Sequence, residues 1–377
     1  IVVSSLVSGL EYGGGGERNG GPPDVVLLTF DSLSSDHMSV YGYGRPTTPF
    51  LDVFAKKCTV FKRMHSNSNG TEFSAQAVLG KYPRFIRELD RDNSESFIKY
   101  LGRCGYKSRL YVSFYTSDAI YNAGFSYFFR PSKAYEKILP GFLMKGENIY
   151  NMQWLSSILS EDTRYLNIFS DVDPRCCAGE DVSLKFYLNY ISSFITSADG
   201  PVFIWAHIPG PSAFEKIPEQ FKKRFMSNFS FKFDPENLLS MQDNFLYSIG
   251  RMNKNYYDAA VLNMDCWVGE FVSDLERLGR LDNTIVILSS TQGYSNGDKL
   301  YKGSRVFSNS ADWLNDAVVN VPLIIFDPRR PEAKRPSTFA ETTDIAPTVL
   351  SLINARIPGF LEGESLDGYI NNESLLS

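Results

Sequence analysis

The chain alternates short apolar runs with longer segments of helical periodicity. The apolar runs are continuous and rich in β-branched residues, which is typical of strands that are buried on both faces. Thr48 and Pro49 have the residue types of a helix cap and of a first helical position. We predict strands at 25–30, 109–113, 165–169, 202–207, 284–289 and 321–326, and helices that include 49–57, 94–104, 182–196, 254–278 and 341–353.

Strands that alternate with helices predict a single α/β domain whose mostly parallel central sheet is sandwiched between helices. Ligands bind such sheets beyond the carboxyl ends of the strands, so the residues after each run are the candidates for a site. Residues 1–23 differ, because an apolar stub is followed by a Gly-rich segment without periodicity. We interpret 1–23 as a stub and linker, with a membrane tether upstream of residue 1 as one interpretation, and 24–377 as the domain.

Composition narrows the class of protein. Hydrophobic residues make up 43% and charged residues 21% of the chain, as in folded globular proteins. The net charge of −5 provides no basic face, so we expect no nucleic-acid partner. The cysteines lack metal-binding spacing, and the adjacent Cys176 and Cys177 are either one end of a disulfide or reduced thiols of a cytosolic protein. Sequons at Asn69, Asn228 and Asn372 would accept glycans in a secreted chain.

The first apolar run ends at Asp31. A carboxylate at the tip of a buried strand is costly unless it is paired or binds a cation, although it would also serve to cap the following turn. A dense set of motif residues follows within about 20 positions: Leu33, Asp36, His37, Tyr41-Gly42-Tyr43, Thr48-Pro49 and Leu51-Asp52. This segment resembles the opening motif of the alkaline phosphatase/sulfatase superfamily, D-[DST]-L-R-A-D-H followed by Y-G-Y and T-P-x-L-D, with Ser34 in place of the Arg.

Further segments follow in the order of that family and extend the resemblance from residue 24 to about residue 366. They are Gly80 to Pro83, Gly105-Tyr106, Gly124-Phe125-Ser126, Tyr257-Asp258-Ala259 with Asp265, 278–284, 321–325 and 343–350. The resemblance implies an extracytosolic protein, secreted or membrane-anchored. It also implies a divalent metal, which would be Zn, Ca, Mg or Mn, that activates a nucleophile against an anionic ester.

The positions of the metal ligands are the ones that differ from the family. The resemblance implies ligation by the first-strand Asp, which Asp31 matches, with Ser32 at the second acidic position. It also implies the Asp-His pair of an S-D-H-G motif, and that pair is here Thr291 and Gln292. Neither replacement supplies a negative charge or an imidazole, so a divalent ion should bind weakly. Asp298 is the candidate for a substitute ligand.

The region of the nucleophile has no Cys for conversion to formylglycine. Thr71 aligns instead with the Thr nucleophile of the phosphoethanolamine transferases and lipoteichoic acid synthases, and it is either a nucleophile or a helix N-cap. His207 matches the first His of H-x-x-D-P-H, either as a site residue or as a core residue, and Ser212 replaces the second His. Lys302 matches a Lys that would bind an anion by charge.

Two functions follow from this pattern. We favour a sulfatase-like pseudoenzyme without a cofactor, retained as a binding or structural domain for other proteins or for an anionic or glycan ligand. The alternative is a divergent, metal-dependent phosphoric or sulfuric ester hydrolase, or a phosphoethanolamine-type transferase, with Thr71 as the nucleophile.

Overall fold

The computed structural model describes 21–83, 95–112, 123–129, 191–192, 194–208, 210–211, 217–226, 238–301, 304–308 and 316–371 of the chain. Several predictions lie outside these ranges: the strand at 165–169, most of the helix at 182–196, the sites at Ser212, Lys302, Asn228 and Asn372, and the cysteine pair Cys176-Cys177.

The central sheet has seven strands: β1 (Asp24–Phe30), β2 (Thr59–Val60), β4 (Lys107–Val112), β5 (Tyr127–Phe129), β6 (Val202–Ile208), β7 (Thr284–Ser290) and β10 (Leu323–Phe326). Their order is β2-β10-β7-β1-β6-β4-β5. The ladders from β7 to β5 are parallel, whereas β10 is antiparallel to both of its neighbours. Two small sheets join β3 (Arg63–His65) to β11 (Phe339–Glu341) and β8 (Ser295–Tyr301) to β9 (Ser304–Ser308).

Helices cover both faces of this sheet. They are α1 (Pro49–Phe54), α2 (Thr71–Val78), α3 (Phe97–Arg103), α4 (Glu219–Met226), α5 (Leu238–Arg277), α6 (Asp316–Val319), α7 (Ile345–Leu352) and α8 (Asp367–Asn371). Val26, Leu28 and Phe30 of β1 pack on one face in a core that includes α5. Val25 and Leu27 face the opposite core, which includes α3 and α7. The predicted α/β sandwich with a mostly parallel sheet is therefore confirmed.

Most predicted elements are confirmed with small shifts of their ends. The run at 321–326 becomes a strand only at Leu323, because Pro322 has no N–H to donate to a ladder. The helix predicted at 254–278 begins earlier, at Leu238. The helix predicted from 341 opens with a capping box between Glu341 and Asp344. Within the described ranges, every helix is too short or too polar to cross a lipid bilayer.

The start of α1 shows how tertiary structure replaces a local cap. The helix begins at Pro49 as predicted, but the side-chain cap expected from Thr48 is wrong. Thr48 Oγ1 accepts a hydrogen bond from the N–H of Val40 at 3.0 Å instead. The carboxylate of Asp265 in α5 accepts from the first helical N–H groups, at 2.7 Å from Phe50 N and 3.0 Å from Leu51 N. A residue more than 200 positions away therefore satisfies this helix end.

Candidate functional site

The carboxyl edge of the sheet gathers the residues that the sequence singled out. Asp31 follows β1, Thr291 and Gln292 follow β7, and His207 lies near the end of β6. The three strand ends are joined by backbone hydrogen bonds, from Asp31 N to Ile208 O and from Thr291 N to Phe30 O, each 3.0 Å long. The parallel ladders thus place the site where an α/β sheet binds its ligands.

Asp31 is held by uncharged groups. Its Oδ1 atom accepts hydrogen bonds from Thr71 Oγ1 at 2.7 Å, Gln292 Nε2 at 3.2 Å and Thr291 Oγ1 at 3.3 Å. The side chain is half-buried, and within the described ranges it forms no ion pair. Asp31 therefore does not act as a local turn cap, since its partners lie 40 or more residues away. Three neutral donors converge on one carboxylate oxygen.

The residue at the second acidic position has a strained backbone. Ser32 is buried and has φ of 57°, in the left-handed region that non-glycine residues rarely adopt. The hydroxyl of Tyr257 holds this turn, because it donates to Ser32 O at 2.8 Å and accepts from Ser34 N at 3.0 Å. Burial raises the pKa of Tyr257, so the phenol remains protonated and able to donate. The motif around Tyr257 does not reveal this role of its hydroxyl.

We expect Tyr257→Phe to lower the free energy of unfolding by about 1–3 kcal/mol, because Ser34 N and Ser32 O would lose a buried partner. Urea unfolding of the natural chain and the variant measures the difference. Tyr100→Phe is the matched control, since its hydroxyl forms no hydrogen bond in the described part of the chain. A loss no larger than that of Tyr100→Phe would show that Tyr257 does not hold the turn.

Ser34 stands where the family has an Arg, and the surrounding loop leaves little room for a longer side chain. Ser34 Oγ donates to Ala317 O at 2.7 Å and accepts from Tyr294 N at 2.8 Å. A Cβ atom added to Gly293 would lie 2.0 Å from Ala317 O and 2.7 Å from Ser34 Oγ. The segment that follows Gln292 therefore packs directly on this serine. The tight packing fixes the position of Gln292 beside Asp31.

His207 is buried near the end of β6. Its Nδ1 atom lies 3.0 Å from Thr29 Oγ1, which also accepts a hydrogen bond from Trp205 Nε1 at 2.8 Å. Burial lowers the pKa of His207, and the negative charge of Asp31 offsets only part of this shift. The core location that was one of the two alternatives for His207 is confirmed. Its role as a site residue stays a prediction.

The buried His207 should make stability depend on pH. Because its folded pKa lies below the ordinary value near 6.5, the unfolded chain takes up this proton first as the pH falls. We expect the natural chain to lose up to about 2 kcal/mol more unfolding free energy than His207→Gln between pH 7.5 and pH 5. Urea unfolding at both pH values measures the two losses. Equal losses would mean that His207 is not held neutral.

Thr71 is the first residue of α2, and the helix cap is Gly70, with φ of −136° and ψ of 135°. The interpretation of Thr71 as the N-cap is therefore wrong, because its hydroxyl donates to Asp31 instead of accepting from a helical N–H. The buried Ser74 Oγ contacts Ser66 Oγ at 2.8 Å, and Ser66 Oγ lies 2.5 Å from Thr291 O. These contacts tie α2 to the end of β7. A nucleophilic role for Thr71 stays a prediction.

The residues of this site do not fit the divalent metal that the family implies. Asp31 is accompanied by two threonine hydroxyls and one amide, whereas such ions need several charged or imidazole ligands. In the described ranges, no three His, Cys, Asp or Glu side chains come together in a metal-binding arrangement. Asp298 lies in β8, where the structure does not describe its side chain.

A second buried polar network lies behind the turn after β1. Asp258 of α5 is fully buried and accepts from His37 Nδ1 at 2.7 Å, Tyr43 OH at 2.8 Å and Arg45 at 2.7 Å. Two of these residues, His37 and Tyr43, belong to the opening motif, but nothing in the sequence indicates that the four side chains contact one another. The network anchors the segment that follows Asp31 to α5, so we regard it as support for the site.

The fold and the motif residues at the carboxyl edge of the sheet define a member of the alkaline phosphatase-like superfamily. The chain belongs to the sulfatase family, because the Sulfatase family model matches residues 23–355. Arylsulfatase K of Canis lupus familiaris is 22% identical over 405 residues, which cover 97% of this chain and 71% of that protein. An ulvan-active sulfatase of Formosa agariphila is 29% identical over 362 residues, which cover 93% of this chain and 65% of that protein.

A solved structure shows the same fold at low identity. The soluble domain of lipooligosaccharide phosphoethanolamine transferase A from Neisseria meningitidis superposes with a TM-score of 0.58 and 15% identity, covering 90% of each chain. The alignments with the two sulfatases span only 65% and 71% of those relatives. The predicted resemblance to this superfamily is confirmed, and the likeness to the phosphoethanolamine transferase concerns the fold alone.

Proposed function

We propose that this chain is a sulfatase-fold binding domain that does not carry out the metal-dependent ester chemistry of its family. The observation that supports this proposal is the set of hydrogen bonds that Asp31 accepts. Where a catalytic site of this family needs a metal cation, Asp31 Oδ1 accepts from Thr71, Thr291 and Gln292. These donors satisfy the carboxylate without a cation.

Thr71 would lack a group that activates its hydroxyl. A threonine hydroxyl is a poor nucleophile until a metal or a base lowers its pKa. With no metal at Asp31, the bound ester would also lack the positive charge that stabilises its transition state. Both effects act in the same direction, and each is normally worth several orders of magnitude in rate.

One observation favours the second candidate, a divergent ester hydrolase or transferase. The Thr71 hydroxyl donates to Asp31 at 2.7 Å, which is the geometry of a nucleophile beside a proton acceptor. In this version Asp31 would take the proton from Thr71 as the hydroxyl attacks phosphorus or sulfur. The bond from that atom to the ester oxygen would break, and the alcohol would leave with a proton from solvent. Lys302 would then bind the anionic ester.

Turnover and metal content decide between the two candidates. The purified chain is incubated with nitrophenyl phosphate and nitrophenyl sulfate, with and without Zn²⁺, Ca²⁺, Mg²⁺ or Mn²⁺, and bound metal is counted by elemental analysis. We expect no hydrolysis above that of Asp31→Ala and no excess bound ion. Turnover that disappears in both Asp31→Ala and Thr71→Ala would establish the enzyme instead, whereas turnover kept in both variants would point to a contaminant.

We further propose that the protein works outside the cytosol, as the resemblance implies. In that compartment Asn69 would carry a glycan. Asn69 is half-buried next to α2, and its sequon uses the Thr71 hydroxyl, so a glycan there would narrow the mouth of the site. Expression in a secretory host should give a mass that falls by one glycan in Asn69→Gln. An unchanged mass would leave the mouth free of glycan.

A further inference from the structure

A solvent-open cleft of about 440 Å³ lies at the amino edge of the central sheet. Its volume is in the range of sites that bind small molecules. Two cationic side chains of β4, an acidic residue ahead of β6 and an aromatic ring contribute to its lining: Lys107, Arg109, Asp199 and Phe194. The motif residues of the family do not include any of these four.

This cleft is separate from the site at the carboxyl edge. Lys107 is paired with Val202 at the start of β6, and His207 lies five residues further along the same strand. At about 3.3 Å per residue, the two places are about 16 Å apart along the strands. Binding in the cleft therefore does not depend on whether Asp31 holds a metal.

Arg109 is held in place by two contacts. Its guanidinium carbon lies 3.3 Å from the centroid of the Phe194 ring, and Nη1 donates to the hydroxyl of the buried Tyr111 at 3.3 Å. Stacking on an aromatic face restricts the guanidinium, which stays charged at every physiological pH. The cleft thus contains a half-buried positive charge at a defined position.

Positive charge exceeds negative charge among the described lining residues. Lys107 and Arg109 carry two positive charges and Asp199 carries one negative charge, which leaves one net positive charge. Asp199 forms an ion pair with Lys107, but the two side chains are 82% and 55% exposed. Ion pairs with this exposure contribute little, because water and salt screen them. An anionic ligand can therefore replace Asp199 as the partner of Lys107.

The helix end beside the cleft is also compensated by a cation. The helical residues 194–197 end at the cleft, and the carbonyl groups at a helix C-terminus repel anions. Here Phe194 O accepts from Ala198 N at 3.0 Å, and Ile195 O accepts from the guanidinium of Arg280. These partners reduce the repulsion that the helix end would otherwise exert on an anion.

Hydroxyl groups supply further polar atoms of the lining. Ser126 and Ser197 are exposed, and both line the cleft. A serine hydroxyl both donates and accepts, so it matches the hydroxyl groups of a ligand. The volume also exceeds what an inorganic ion would fill.

We propose that this cleft binds a polyhydroxylated anion, such as a sugar acid or a polyol phosphate. Lys107 and Arg109 would hold its carboxylate or phosphate group, and the serine hydroxyls would bind its hydroxyl groups. This second site goes beyond the proposed function, because it uses neither Asp31 nor the ester chemistry of the family.

Methyl NMR of the full chain, labelled at alanine methyl groups, tests the proposal. Ala198 lines the cleft, whereas Ala206 precedes His207 at the other edge. The probes are gluconate and sorbitol phosphate, with neutral sorbitol and hydroxyl-free acetate as controls. We expect both anionic polyols to shift Ala198 without shifting Ala206, and to bind about tenfold or more tightly than either control. The tighter of the two identifies the preferred anionic group.

Substitutions separate a binding role from a structural one. Lys107→Gln and Arg109→Gln should each weaken gluconate binding about tenfold. Asp199→Asn should strengthen it about two- to fivefold, because Lys107 loses its competing partner, and a misfolded variant could not produce this gain. Lys62→Gln removes an exposed cation next to β2, at the far end of the strand order, and should leave binding unchanged.

Three results would overturn the inference. The first is equal binding of gluconate and sorbitol, and the second is gluconate binding that survives both Lys107→Gln and Arg109→Gln. The third is acetate binding as tight as that of gluconate, which would show that the cleft does not recognise hydroxyl groups. Bound metal or turnover that depends on Asp31 removes the proposed function and leaves this cleft unaffected, so the two failures are distinguishable.

Discussion

The double variant Thr291→Asp with Gln292→His is expected to bind about one Zn²⁺ per chain, whereas the natural chain binds none above background. The two substitutions place a carboxylate and an imidazole at the end of β7, beside Asp31 and Thr71. Both side chains they replace already reach Asp31 Oδ1, at 3.3 Å and 3.2 Å, so the new groups start from the correct edge of the sheet. The binding constant should rise about 100-fold or more, because two ligands of the right class are added.

Elemental analysis after dialysis, together with competition against a chromophoric chelator, measures this change. The matched control is the same double variant with Asp31→Ala, in which binding should fall back toward that of the natural chain. A natural chain that already holds one ion would contradict the proposed function. A folded double variant without bound ion would show that the packed segment around Gly293 holds the new side chains away from Asp31.

Gly210→Ala should be strongly destabilising because of a close backbone approach at the site. A Cβ atom at Gly210 would lie 1.2 Å from the carbonyl oxygen of Asp31 and 2.4 Å from its carbonyl carbon. Both neighbours are backbone atoms, and Asp31 is itself fixed by the hydrogen bond from its N–H to Ile208 O. The ends of β1 and β6 must therefore separate. We expect a loss of about 3 kcal/mol or more and a melting temperature lower by about 5 °C or more.

Thermal unfolding of Gly102→Ala provides the matched control for this substitution. Gly102 lies in α3, and an added Cβ atom would meet nothing within 4 Å. Because Gly102 lies in the last turn of this helix, alanine should leave the stability unchanged or raise it by less than about 1 kcal/mol. If Gly210→Ala melts at the temperature of the natural chain, the loop that contains Gly210 does not pack on Asp31 as described.

The hydrophobic pattern alone determined the architecture. Continuous apolar runs such as 25–30 and 284–289 can be satisfied only when both faces of a strand are covered, so they dictate a buried, mostly parallel sheet. Motif spacing then identified the superfamily, and the replacements at Thr291 and Gln292 indicated that the metal ligands are missing. These features are local in sequence, which is why they can be recognised without a structure.

Only the tertiary structure decided which groups surround Asp31. The hydrogen bonds from Thr71, Thr291 and Gln292 to Asp31 join residues that lie 40, 260 and 261 positions away from it. Likewise, Asp265 caps α1, and Tyr257 holds the strained turn at Ser32. Sequence spacing carries no information about such pairs, because only the packing of strand ends and helices at one edge brings their atoms within hydrogen-bond distance.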